Sequence, residues 1–248
     1  MQIIWLGHSS FRIEIGAAVL LVDPWLTGNP MFPAEQRWAA LAGVTHILLT
    51  HGHGDHAAEA GPLAAKLKVP LVGIYPSLAY LGQKHEVETI GFSKGGTVAL
   101  GGATVTMVNA SHSSSFAWPE GPISAGSAAG DMIEGEGHVI YLSGDTDVMA
   151  DMEWMGDLNR PDIGILAAGG HYTMDMARAA YAARRYFNFR TVIPCHYRCF
   201  LNLARDASFL TSGLPGGGGD QAPTHGAHCF SMKKAAQYLR RPDFFSGN

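Results

Sequence analysis

With 248 residues, 47% of them hydrophobic and only 15% charged, the chain has the makings of a sizeable globular core and not of a disordered polypeptide. A net charge of −4 argues against the broad basic footprint of a nucleic-acid binder. No apolar run is long enough to span a bilayer, the N-terminus lacks the basic region of a signal peptide, and three cysteines form no paired framework. The expectation is therefore a soluble, cytoplasmic globular protein, without membrane or nucleic-acid partners.

In chain order, residues 3–6 read as a first strand, closed by Gly7-His8-Ser9-Ser10. Residues 11–15 alternate apolar and polar as a half-buried strand does, and 19–22 return as a more buried one. Asp23-Pro24-Trp25 opens a loop that runs to Pro33, and residues 39–42 suit a short helical turn. The β-prone run 44–49 then delivers Thr50-His51-Gly52-His53-Gly54-Asp55-His56, with a helix expected over 57–67. Two glycines in this loop remove side chains where the backbone is expected to fold sharply.

Strands are expected at 69–74, 86–90, 97–100 and 103–108, with a short helix at 77–82 and a hairpin turn at Gly101-Gly102. Residues 113–130, rich in Ser, Gly, Ala and Pro, carry no periodicity and read as a loop over a site or a surface excursion. Strands follow at 138–142, 162–166 and 191–193, with an amphipathic helix at 174–186. Beyond residue 210 come a glycine run and a candidate terminal helix at 232–241.

Four metal-capable side chains within six consecutive residues, His51, His53, Asp55 and His56, cannot all crowd onto one tetrahedral ion, which suggests two ions. Later strands also end in possible ligands: His112 after 103–108, Asp145 after 138–142 and His196 after 191–193. In open α/β sheets, sites gather at such strand ends. Together the seven residues supply five imidazoles and two carboxylates.

This set, in this order, resembles the metallo-β-lactamase fold family, whose signature is H-x-H-x-D-H followed by a distant His, Asp and His. The resemblance implies an α/β four-layer αβ/βα sandwich, with two mixed sheets and helices outside. It also implies that His51, His53 and His112 hold one metal, that Asp55, His56 and His196 hold a second, and that Asp145 bridges them. The expected cofactor is a pair of Zn²⁺ ions, although Mn²⁺ or Fe²⁺ suits the same donors. Trp5-Leu6-Gly7-His8-Ser9-Ser10-Phe11, Ala110-Ser111-His112-Ser113, Ser143-Gly144-Asp145-Thr146 and Gly169-Gly170-His171-Tyr172-Thr173-Met174 are similar to motifs of the ascorbate-6-phosphate-lactonase-like hydrolases.

That likeness covers roughly residues 1–205. It implies a domain over 1–209, with 210–248 an atypical segment packed on it, and makes a homo-oligomer an open expectation. The implied activity is metal-dependent hydrolysis of a small molecule, a lactone or a phosphorylated sugar derivative. Asp55 and Asp145 are the catalytic candidates, with Asp55 orienting the attacking water or taking its proton. His8 joins them, either through a hydrogen bond behind the ligands or at the substrate. His171, Tyr172 and Arg198 are candidate substrate contacts. His46, His85 and His138 read as structural, and Cys195, alternating with His196 on an extended chain, points away from the metals.

Three other readings compete. A phosphodiesterase or nuclease on the same scaffold wants a basic groove, and no Lys/Arg cluster provides one. A diiron oxidoreductase of the fold usually carries Glu where His53 stands. A non-catalytic metal-binding protein would have less use for the full ligand set.

Overall fold

The structure, a computed structural model, describes residues 1–214 and 228–231. Strands β1 (Gln2–Trp5), β2 (Phe11–Ile15) and β3 (Ala18–Val22) form an antiparallel meander. A 3-10 turn and helix α1 (Arg37–Leu41) lead to β4 (His46–Leu49), which pairs parallel to β3. Helices α2 (Gly54–Ala57) and α3 (Ala60–Leu67) precede β5 (Leu71–Ile74), and α4 (Tyr75–His85) precedes β6 (Thr89–Phe92).

The second half repeats the plan. Hairpin β7 (Thr97–Leu100) and β8 (Ala103–Asn109) turns at Gly101-Gly102, as expected. A small hairpin, β9 (Ser115–Phe116) with β10 (Ile123–Ser124), leads to β11 (Ala129–Gly135) and β12 (His138–Leu142). Helix α5 (Met152–Asn159), β13 (Ile163–Ala167), α6 (Met176–Tyr186), β14 (Thr191–Cys195) and α7 (Ser208–Gly213) follow. The backbone of β15 (His228–Ser231) pairs antiparallel with β1.

One sheet has the order β15-β1-β2-β3-β4-β5-β6 and the other β14-β13-β12-β11-β8-β7. Each is antiparallel where hairpins build it and parallel where helices cross over. The side-chain alternation of the strands divides the core. Leu20, Val22 and Leu48 join the large cluster that also takes Val105, Ile133 and Ile140 of the opposite sheet. Their neighbours Leu21, Ile47 and Leu49 face the other way, onto Leu63 of α3 and Leu78 and Leu81 of α4. Helices α5 and α6 cover the second sheet, through Met155 and through Met176, Ala179 and Ala183. This is the four-layer sandwich expected from the sequence.

Several expectations shift. The helix expected at 57–67 is two helices, and the one expected at 77–82 runs from Tyr75 to His85, displacing the next strand to Thr89–Phe92. Helix α6 starts at Met176 because Asp175, its N-cap, accepts a hydrogen bond from Arg178 N at 2.8 Å. Residues 113–130 are not a periodless loop: they hold the small hairpin and the first residues of β11. Helix α5 forms where no element is expected. Helix α7 runs across the expected 209/210 boundary, and the expected terminal helix at 232–241 lies outside the described residues. Among the described residues no helix is long and apolar enough to cross a membrane.

Candidate metal centre

Five of the seven expected ligands are carried by the segments that follow four strands: His51 and His53 after β4, His112 after β8, Asp145 after β12 and His196 after β14; Asp55 stands in the first turn of α2. His56 follows it in the same helix, whose N-cap is His53. His51, His53 and His112 bring one ring nitrogen each within 4.8 Å of one another; Asp55, His56 and His196, joined by His8, bring their ligand atoms equally close. Asp145 Oδ2 stands between the two groups. It is 2.9 Å from His196 Nε2, 3.4 Å from His56 Nε2, 3.8 Å from His112 Nε2 and 3.9 Å from His51 Nε2. His51 Nε2 and His53 Nδ1 are 3.0 Å apart, close enough to be ligands of one ion.

Asp23, at the end of β3, organises this cluster from behind. Its Oδ2 lies 2.8 Å from His56 Nδ1 and accepts from Thr50 Oγ1 at 2.6 Å, while Oδ1 accepts from Thr50 N at 2.9 Å. The Thr50 hydroxyl has committed its proton to Asp23, so at 3.0 Å it accepts from His51 Nδ1. In the neutral form that binds metal, both imidazoles thereby keep the proton on Nδ1 and turn Nε2 to the centre. The rule that strands end in site residues applies equally to residues 19–22, and Asp23 is the residue it points to there.

His8 is fully buried and sits at φ 54°; its Nε2 lies 2.9 Å from Asp55 Oδ2, and its carbonyl accepts from His196 N at 3.0 Å and from Trp5 Nε1 at 2.9 Å. Asp23 at φ 42° and His196 at φ 58° share this left-handed conformation. Backbone held in that region by non-glycine residues is costly and clusters at functional sites.

The charges suit a cation. Burial pushes His51, His53 and His112 below the ordinary histidine value and His8 down to about 4, so each is a neutral donor at pH 7. Burial alone would do the same to His56, but Asp145 and Asp23 outweigh it and hold its pKa well above normal, marking a place where positive charge is favoured. Burial would raise Asp145, yet His56 and His196 hold it well below the carboxylate range. The buried atoms His56 Nε2 and Asp145 Oδ1 make no hydrogen bond, a cost that a cation between the two groups would remove. The donor set thus fits divalent metal.

His53, Asp55, His112, Asp145 and His196 line a cleft of about 690 Å³, together with Trp25, Thr27, Glu59, Ser113, Tyr172 and Phe200. The sequence pattern of the beta-lactamase superfamily domain matches residues 19–197. The chain belongs to this superfamily. A UPF0173 metal-dependent hydrolase of Cereibacter sphaeroides is 65% identical over 216 residues, 87% of this chain and 94% of that one. Its counterpart in Paracoccus denitrificans is 64% identical over 217 residues, with the same coverage. Igni18, a metallo hydrolase from the archaeon Ignicoccus hospitalis, superposes with a TM-score of 0.79 at 26% identity, covering 94% of this chain and 100% of its own. The chain is accordingly a metal-dependent hydrolase.

Within this hydrolase the other expected site residues fall differently. Tyr172 lines the cleft; His171, exposed and at φ 55°, packs its ring edge-on against Tyr172 and does not, and neither does Arg198. His8 is also absent from the cleft wall and meets the site through Asp55. Cys195 is buried in the core, as strand alternation required. His138 Nδ1 pairs with Asp162 at 2.7 Å and His46 Nδ1 with Thr45 at 2.8 Å, neither of them with a site residue.

Of the two motif glycines, Gly54 has open space around it, whereas a Cβ on Gly52 would come within 2.4 Å of Ala125 Cβ. Gly52 is needed for close packing of the β9–β10 hairpin, not for a sharp fold. Gly144, at φ 57°, takes the left-handed conformation between β12 and Asp145, where a Cβ would also collide with the Ala129 carbonyl.

Proposed function

We propose that the chain uses two divalent metal ions, zinc being the expected pair, to hydrolyse a small carboxyl ester such as a lactone. His51, His53 and His112 would hold one ion, Asp55, His56 and His196 the other, with Asp145 shared. The carrying observation is the single oxygen, Asp145 Oδ2, within 4 Å of imidazole nitrogens from both groups. Bound divalent ions bring the pKa of a coordinated water from 15.7 to about 7 and polarise a carbonyl oxygen.

The protein groups then divide the remaining work. Burial would raise the Asp55 pKa, but the hydrogen bond from His8 and the charge of His56 hold it well below the usual range. Such a weak base orients a water by accepting its hydrogen bond and is poorly suited to keep its proton. His8, neutral at pH 7, donates Nε2–H to Asp55 and fixes the carboxylate's rotation. Among the described residues no Lys or Arg lines the cleft, which argues against the phosphodiesterase alternative.

Metal analysis of the purified, zinc-replete protein is expected to give two equivalents per chain, and Asp145→Ala fewer, with ester or lactone turnover reduced at least about a hundredfold. Two tightly held metals and normal turnover in Asp145→Ala would defeat the bridging assignment.

A further inference from the structure

The cleft has two unlike walls. One is the imidazole and carboxylate cluster. The other, beside His196, is aromatic: Trp25 and Phe200 stack with ring centroids 5.5 Å apart at 17°, and Tyr172 stands edge-on to Phe200 at 6.3 Å and 82°. Tyr172 is also 6.5 Å from the His196 ring, so this wall begins where the proposed ligands end. Trp25 and Phe200 are half-buried and Tyr172 is exposed, although each is large and apolar enough to be stabilised by full burial. All three stand in loops, at the mouth of a volume of about 690 Å³, well beyond the space a bare carbonyl group needs.

Among the described residues the carboxylates Asp55, Glu59 and Asp145 line the walls and no Lys or Arg does. Glu59 is already satisfied, accepting from Leu26 N at 2.5 Å, Thr27 N at 2.7 Å and Thr27 Oγ1 at 2.8 Å, and pairing with Arg37 at 2.7 Å. The Arg37 guanidinium also donates to Thr27 Oγ1 at 2.9 Å, so it is committed to the wall's own structure. A phosphoryl group seated away from the metals would lose water, meet carboxylates and find no lining cation. A flat or branched apolar group would lose only the water that covers the aromatic faces.

We propose that Trp25, Phe200 and Tyr172 form a subsite for an uncharged apolar group, aryl or branched alkyl, that the substrate carries beside its hydrolysable carbonyl. This rests on the hydrolase reading above and sharpens it: the substrate is an apolar ester or lactone, and the phosphorylated-sugar form expected from the sequence resemblance is disfavoured.

Hydroxamates that chelate divalent metal test this without turnover. The zinc-loaded full chain is titrated calorimetrically with acetohydroxamate, 3-phenylpropanohydroxamate and 3-phosphonopropanohydroxamate. The phenyl probe is expected to bind about tenfold or more tighter than acetohydroxamate, and the phosphono probe no tighter. Phe200→Ala, and separately the exposed Tyr172→Ala, is expected to bring the phenyl-to-acetyl ratio of affinities down towards one, while Phe200→Trp keeps it. A phenyl probe with no advantage, or a phosphono probe that binds tightest, overturns the subsite and leaves the metal centre standing. Failure of all three probes to bind overturns the subsite together with the metal reading beneath it.

Discussion

Replacing Asp23 by alanine takes away, in one step, the acceptor of His56 Nδ1 and of both Thr50 donors. Because Thr50 in turn fixes His51, the loss reaches ligands on both sides of the centre. Asp23→Ala is expected to weaken metal retention about 10- to 100-fold, measured by competition with a chromogenic chelator. Thr50→Val, which spares the His56 contact, is expected to do less. Asp131, buried in β11 with neither carboxyl oxygen hydrogen-bonded, behaves differently. Burial, with the Asp23 charge in second place, holds its pKa well above the ordinary value of 3.8. The folded state therefore keeps a proton that the unfolded chain has released, and stability falls as pH rises above that ordinary value. Every tenfold difference in proton affinity between the two states is worth about 1.4 kcal/mol, so Asp131→Asn is expected to flatten the fall in Tm between pH 5 and pH 8 by at least about 2 °C. The seven expected ligands are legible in the sequence because each follows a strand end or sits in the dense motif. Asp23 stands at a strand end too, but its role is not legible, because a carboxylate that serves Thr50 and His56 leaves no spacing pattern. Nor is Asp131, because a polar residue inside a buried strand contradicts the alternation by which strands are found.

The β9–β10 hairpin presses on the motif loop through Ala125, which is 1% exposed and leaves no space for a Cβ on Gly52. Gly52→Ala is expected to cost about 1–3 kcal/mol in chemical denaturation, and Ala125→Gly in the same chain to return most of it; two independent losses would instead show that the packing is not mutual. This contact explains part of what the sequence conceals. Strands with clean alternation or buried apolar runs, β2, β3, β4 and β13, are readable from local pattern alone. Strand β11 is not. Gly130, Asp131 and Gly135 break its pattern, and it exists because Leu142 and Met107 on its two neighbours supply the pairing from elsewhere in the chain. Helix α5 is short, with Gly156 inside it and exposed Trp154 and Leu158 blurring its apolar face, so its periodicity is invisible until its partners are known.

At the scale of the molecule, the proposed ions tie together loops from both sheets, so their removal should be felt throughout. A site occupied at 1,000 times its Kd contributes about 4 kcal/mol of linkage. For a chain of this size that is roughly 8–16 °C in Tm at about 2–4 °C per kcal/mol, and scanning calorimetry with and without a chelator is expected to show it; an unchanged Tm would mean that the two halves stand without the ions. The pairing of β15 with β1 has a different bearing, on the order of assembly. Strand β1 is made long before the strand that covers it, so until residues 228–231 are made its edge offers an open row of N–H and C=O groups to whatever strand arrives first. Nascent chains halted before residue 228 are then the form most prone to recruit one another edge to edge, and the arrival of β15 is the event that protects the newborn molecule.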